Sequence, residues 1–156
     1  MAAISPQRQT AAAVVAAFNA MDVDAIVSHR DPDALRYFIP ITMGHKPQTN
    51  ATYAASLKRL RAIFQSFSLT VNDILEDNET HRICMWLTAK ADTAAGEYIN
   101  EYVWLLDFDE TGTKITASKE YSDTLMAKEF FPKLEAAMKA HKAGQVEVGL
   151  QSEKPN

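Results

Sequence analysis

The stretch Gly96-Glu97-Tyr98-Ile99-Asn100-Glu101-Tyr102-Val103-Trp104-Leu105-Leu106-Asp107-Phe108 carries two messages at once. Side chains of an extended chain alternate between faces, so Tyr98, Asn100, Tyr102, Trp104, Leu106 and Phe108 share one of them. The far end of that face is plain core. The near end carries two phenols and an amide, groups that are costly to bury without partners. The next strand pattern, Thr113 to Ser122, turns Thr116, Ser118, Glu120 and Ser122 to one face. A hydrogen-bonding wall with a titratable carboxyl, set beside large apolar residues, fits a small-molecule cavity better than a sealed interior.

Asp107-Phe108-Asp109-Glu110-Thr111-Gly112 reads as the hairpin turn joining these two strands. Upstream, Ser68 to Leu75 and His81 to Ala91 alternate with the same period, separated by the acidic turn Glu76 to Glu79. Ahead of this meander, Ser5-Pro6 is an N-cap with proline at the first helical position, opening an alanine-rich helix to Met21. Asp22-Val23-Asp24 starts a short helix ending near Arg30, and Asp31-Pro32-Asp33 breaks it. Leu35 to Pro40 follows as a short strand and Gly44 to Thr49 as a loop. Asn50 caps a helix to about Phe67, with Leu57, Leu60, Ile63 and Phe64 at helical spacing. A closing helix spans Thr124 to His141, with Phe130, Phe131, Leu134 and Met138 on one stripe. This order predicts an α+β fold, a single domain over residues 1–143, and a flexible tail over 144–156.

With 156 residues and 47% hydrophobic composition, the chain has the size to bury a core and keep a cavity. A formal net charge of -4 argues against a nucleic-acid partner. The basic residues Lys58, Arg59 and Arg61 read as one solvated helix face. Cys84, the single cysteine, excludes an internal disulfide and reads as a buried, inert thiol in an apolar strand. The four histidines, His29, His45, His81 and His141, have no metal-ligand spacing, so no metal is expected. Phosphate loops, dinucleotide glycine patterns and Gly-x-Ser-x-Gly are absent, and no cofactor is expected. No basic-then-apolar leader and no run of membrane-spanning length is present, which predicts a cytoplasmic protein without membrane contact.

Several short motifs, in order, resemble the SnoaL-like branch of the NTF2-like superfamily, in particular its small fungal isomerases and cyclases. They are His29-Arg30-Asp31-Pro32-Asp33, Ile39-Pro40-Ile41-Thr42-Met43-Gly44, Asn50-Ala51-Thr52-Tyr53, Ala91-Asp92-Thr93, Asn100-Glu101-Tyr102, Phe108-Asp109-Glu110 and Glu129-Phe130-Phe131-Pro132. Together they span roughly residues 8 to 135; Thr42-Met43 departs from the Ser-Leu that relatives often carry there. The resemblance implies a cone-shaped α+β barrel, its curved, mostly antiparallel sheet wrapped on helices. It also implies a cofactor-free pocket and a homodimer formed through the sheet. Members of the family include meroterpenoid ring isomerases and a semipinacolase of indole-alkaloid biosynthesis. The semipinacolase pattern of two tyrosines, a later glutamate and an upstream arginine falls on Tyr98, Tyr102, Glu120 and either Arg30 or Arg36.

Glu120 is the leading proton-transfer candidate, since a partly desolvated carboxyl suits acid–base work near neutral pH. Tyr98 and Tyr102 can donate to a carbonyl or oxyanion, or serve as amphipathic core. Arg30, at a helix end, can hold a substrate carbonyl, orient Glu120, or tie its loop to Asp31 or Asp33; Arg36 is the rival. Asn100 offers an amide to a ligand. Phe38, Met43, Phe64, Trp86 and Trp104 are candidate walls for a polycyclic substrate, although Trp86 and Trp104 also fit a dimer-facing side of the sheet. The expected activity is cofactor-independent isomerisation or cyclisation of a polycyclic secondary metabolite by acid–base catalysis. A semipinacol rearrangement leads, ahead of ring isomerisation on a polyketide or meroterpenoid. A dehydratase or epoxide hydrolase lacks the expected histidines or Asp-Arg-Asp set. A non-catalytic binding protein is the remaining alternative.

Overall fold

The computed structural model describes residues 3–152, of which 145–152 by their backbone. Ser5 accepts a hydrogen bond from the Arg8 amide at 3.1 Å, and Pro6 opens α1 (Pro6–Asn19). The helix stops short of Met21, which takes a left-handed φ of 49°. Asp22 caps α2 (Val23–Ser28) through the Ala25 amide at 3.0 Å.

Strand β1 (Arg30–Ile39) begins earlier than its sequence pattern suggests. Asp31 to Ala34 bulge out of the ladder between Arg30 and Leu35, so Pro32 sits in an edge strand without costing a ladder hydrogen bond. Helix α3 (Asn50–Arg61) is capped by Thr49, whose hydroxyl accepts from the Thr52 amide at 3.3 Å. Asn50, expected as the cap, instead turns its side chain back to β1: it donates to the Asp31 carbonyl and accepts from Arg30 Nε, both at 2.8 Å.

Phe64 to Phe67 belong to β2 (Phe64–Asp77), not to the preceding helix. Over so short an apolar run the two periods are indistinguishable, and pairing of Phe64 with Thr93 decides for the strand. The meander continues through β3 (Arg82–Thr93), β4 (Gly96–Phe108) and β5 (Ile115–Ser122). Helix α4 (Thr124–Ser152) runs past the expected stop at His141 and through Gly144; residues 153–156 of the expected tail lie outside the described residues.

The strands form one curved five-stranded sheet in the order β1-β5-β4-β3-β2, parallel between β1 and β5 and antiparallel elsewhere. One face packs on α1 and α3, burying Val14, Phe18, Leu57, Met85, Leu87 and Leu106 in a continuous core. Phe18 meets Trp104 at a ring-centroid distance of 5.1 Å. Each such fully buried large side chain contributes roughly 1.5–3 kcal/mol.

A bulge in β5, where Asp107 pairs with Ala117 but Phe108 with Ile115, puts both Ile115 and Ser118 inside. It also expels Thr116, which was expected on the inner wall and is exposed. The opposite face of the sheet carries Trp86, paired with Val103, itself paired with Tyr121. Trp86 is 48% exposed and donates to Glu101 at 2.9 Å, so it takes no part in lining a cavity: the alternation that turns Met85 and Leu87 inward turns it out. Cys84 shares that outward face and is half-buried rather than buried.

Gly112 closes the β4–β5 hairpin with φ 70°, and its carbonyl accepts from Thr10 at 2.8 Å, tying the turn to α1. A Cβ there would approach the Gln7 backbone nitrogen to 2.7 Å. Gly112→Ala therefore combines left-handed strain with a backbone clash, and urea unfolding is expected to show a loss of about 1–3 kcal/mol.

Candidate functional site

Register sets the site. Across the helix-facing side, Trp104 pairs with Glu120 and Glu120 with Phe38, while Leu106 pairs with Ser118 and Ser118 with Arg36. Arg36 and Glu120 thus stand one step apart on adjacent parallel strands. Arg36 Nη2 donates to Glu120 Oε2 at 2.7 Å, with side-chain exposures of only 12% and 13%.

Arg36 is fixed on every side. Its Nη1 donates to Gln48 Oε1 at 2.7 Å, and its backbone forms a two-way bridge with Gln48 at 2.9 Å each way. The guanidinium carbon lies 4.2 Å from the Phe38 ring centroid and 4.5 Å from that of Tyr53, cation–π distances. Burial works against its charge, but the Glu120 carboxylate and the nearby phenols outweigh that and hold Arg36 above its usual range.

Arg30, the first-choice arginine of the sequence, does not meet Glu120, Asp31 or Asp33. It is 6% exposed, donating through Nε to Asn50 Oδ1 at 2.8 Å and through Nη1 to Ser118 Oγ at 2.9 Å. Burial, with Arg36 nearby, pulls its pKa down. The guanidinium that pairs with the carboxyl is Arg36, because the bulge at Asp31–Ala34 displaces Arg30 from that register.

Tyr98 and Tyr102 are hydrogen-bonded to each other through their hydroxyls. Two phenols hold two protons and their mutual bond uses one, so one O–H is left for a ligand whichever phenol donates. Burial is the main cause that raises both pKa values, that of Tyr102 strongly. Asn100, expected to touch a ligand, is 2% exposed and is not among the residues lining the hollows described next; its Nδ2 donates to Tyr98 at 3.1 Å, making it a support for the pair.

Three adjoining hollows share Arg36 and Glu120. The outer one, about 400 Å³, is bordered by Phe38, Met43, His45, Phe64 and, from α4, Phe131 and Leu134. The middle one, about 90 Å³, lies among Phe18, Tyr53, Leu57, Phe64 and Trp104. The inner one, about 20 Å³, is bordered by Arg30, Tyr53, Trp104 and Ser118. Tyr98 and Tyr102 border the outer and middle hollows, so both proton-bearing groups face the same space as the ion pair. Among the described residues no group of three or more His, Cys, Asp or Glu side chains is placed to hold a metal ion.

Two residues with evident roles here were not singled out as site candidates in the sequence. Tyr53 lies between the arginines, 5.5 Å from the Arg30 guanidinium carbon, with burial pushing its pKa up. Its place four residues before Leu57 put it on the inner stripe of α3, which was the available signal. Gln48, in a loop, carried none.

No family model matches the chain. It is 33% identical over 108 residues to a protein named Monooxygenase dmxR10 from Cryptosporiopsis sp. (strain 8999), covering 68% of this chain and 72% of the relative. Over 136 residues it is 29% identical to Austinoid biosynthesis cluster protein H of Aspergillus calidoustus, covering 84% and 92% of the two. BvnE pinacolase from Penicillium brevicompactum has a similar structure, with TM-score 0.79 at 27% identity, covering 85% of this chain and 96% of that one. A protein named 'Putative SnoaL-like polyketide cyclase', from Shewanella denitrificans OS-217, shares the fold, with TM-score 0.67 at 13% identity, covering 83% and 97%.

Removing one partner of the ion pair leaves the other charge buried. Arg36→Met is expected to cost about 3–5 kcal/mol in chemical unfolding, and adding Glu120→Leu to recover most of that loss. Tyr53, Tyr98 and Tyr102 have raised pKa values in the folded protein, whereas unfolded phenols ionise near pH 10. Above that pH the unfolded chain releases more protons, so the stability present below about pH 10 is lost as pH rises further. A spectroscopic phenolate titration is expected to show these three tyrosines ionising only together with alkaline unfolding.

Proposed function

The chain belongs to the SnoaL-like branch of the NTF2-like superfamily, and from that membership we propose that it is a cofactor-independent isomerase or cyclase acting on a polycyclic secondary metabolite. The observation that carries this reading is the convergence of a carboxylate fixed by Arg36 and a phenol pair with one free proton on one largely apolar cavity. Its outer hollow, about 400 Å³, suits a drug-sized polycycle.

In this reading Glu120 is the base and the phenol pair the acid. For a semipinacol rearrangement, Glu120 takes the proton of a substrate hydroxyl as its C–O bond becomes C=O. A carbon substituent migrates with its electron pair to the neighbouring carbon. The electrons displaced there settle on a heteroatom, which receives a hydrogen bond or proton from Tyr98 or Tyr102. For ring isomerisation, the same carboxylate moves a proton beside a carbonyl that the phenols polarise. The semipinacol form is favoured by the likeness to BvnE pinacolase. Arg36 orients Glu120, and Arg30 supports the inner wall through Ser118 and Asn50. Phe38, Met43, Phe64 and Trp104 would contact the hydrocarbon skeleton. A cytoplasmic homodimer joined through the outer sheet face, where Trp86, Val103 and Tyr121 are exposed in one row, belongs to the same proposal.

The name of the relative dmxR10 favours a second reading, monooxygenation. The two differ in mass balance. Deleting the gene in its producing strain and feeding the accumulated compound to purified protein is expected to yield a product of equal mass, without oxygen consumption; gain of an oxygen atom would establish the second reading instead. In the same assay Glu120→Gln is expected to lower kcat by about 10²–10⁴-fold. Undiminished turnover in that variant would remove Glu120 from the mechanism.

A further inference from the structure

The innermost of the three hollows is too small for any part of a ring. At about 20 Å³ it exceeds the roughly 10–15 Å³ that one water molecule needs and little more. Its lining is mixed. Val14, Phe18 and Ile26 form an apolar side, and Arg30, Trp104 and Glu120 a polar one.

Two donors on that lining have no protein acceptor: Arg30 Nη2 and Trp104 Nε1 are both buried and unpartnered, on side chains each only 6% exposed. Neither group can accept, and each requires an oxygen. Glu120 spends Oε2 on Arg36, and no described residue donates to its Oε1. Ser118 Oγ, which accepts from Arg30 Nη1, borders the same space. Two unmet donors and two oxygen acceptors around a volume of one water match the two acceptor sites and two protons of a water molecule.

We propose that this hollow is a built site for one ordered, long-lived water, which accepts from Arg30 Nη2 and Trp104 Nε1 and donates to the Glu120 carboxylate. Glu120 is then held by both arginines, by Arg36 directly and by Arg30 through the water. This gives Arg30 a positioning role although its direct bonds go to Asn50 and Ser118. The site stands on the ligand-free geometry and does not depend on the proposed reaction.

The test needs no substrate. The chain has two tryptophans, and Trp86→Phe, an exposed change outside the cavity, leaves Trp104 as the source of the one indole N–H signal. In the ¹⁵N-labelled variant, that N–H is expected to show a dipolar cross-peak to water with the sign of a molecule bound for longer than protein tumbling. A high-resolution crystal structure is expected to show one peak within hydrogen-bond distance of Arg30 Nη2 and Trp104 Nε1. Trp104→Phe, which keeps an aromatic ring and removes the donor, is expected to lose or weaken that peak. A dry hollow, a Glu120 carboxylate turned to bond Trp104 directly, or a water unchanged in Trp104→Phe would each overturn the assignment.

Discussion

The ion pair between Arg36 and Glu120 organises this molecule's interior. Two charges with so little exposure cost several kcal/mol each to desolvate, and a single contact at 2.7 Å repays that only when the remaining groups are also satisfied. Arg36 draws partners from three separate segments: Gln48, in the loop before α3, accepts from its second guanidinium nitrogen, and the rings of Phe38 on β1 and Tyr53 on α3 lie 4.2 and 4.5 Å from its guanidinium carbon. Trp104 is the cross-strand neighbour of Glu120. The parallel pairing of β1 with β5 sets Arg36 of the first strand beside Glu120 of the last.

From that pair outward the cavity grades from narrow and polar to wide and apolar. Its floor holds two guanidiniums, a carboxylate and the Ser118 hydroxyl, while its mouth is walled by Phe38, Met43, Phe64 and side chains of α4. A large hydrophobic ligand entering this funnel keeps its hydrocarbon in the wide part and presents its oxygens to the narrow part. The phenol pair stands at the transition between the two, where burial raises both pKa values above the usual phenol range, that of Tyr102 strongly.

The alternation of β4 made its inner face legible from the sequence alone, and the residues of that face, Tyr98 through Phe108, lie as the period requires. The carboxyl of Glu120 was legible for the same reason. The arginine was not. Arg30 precedes the strand pattern Leu35 to Pro40 and Arg36 lies inside it, and the choice depends on a bulge at Asp31–Ala34 that no local residue preference announces. Thr116 was misplaced by the same kind of event in β5. Trp86 had two readings in the sequence, a cavity wall or the outer side of the sheet, and its own strand period, with Met85 and Leu87 as neighbours, decides for the outer side. Gln48 acts through backbone pairing with Arg36 from a loop without periodicity, which leaves nothing in sequence to find.

The charge balance of the floor constrains the chemistry. Arg30 and Arg36 against Glu120 leave one positive charge in excess inside low-dielectric surroundings, which favours negative charge developing on a substrate oxygen above them. The same excess disfavours a cationic intermediate resting near the floor. In the proposed rearrangement, a migrating group with carbocation character would therefore pass at the level of the phenols and the aromatic wall, with its oxygen toward Glu120 and its skeleton in the outer hollow.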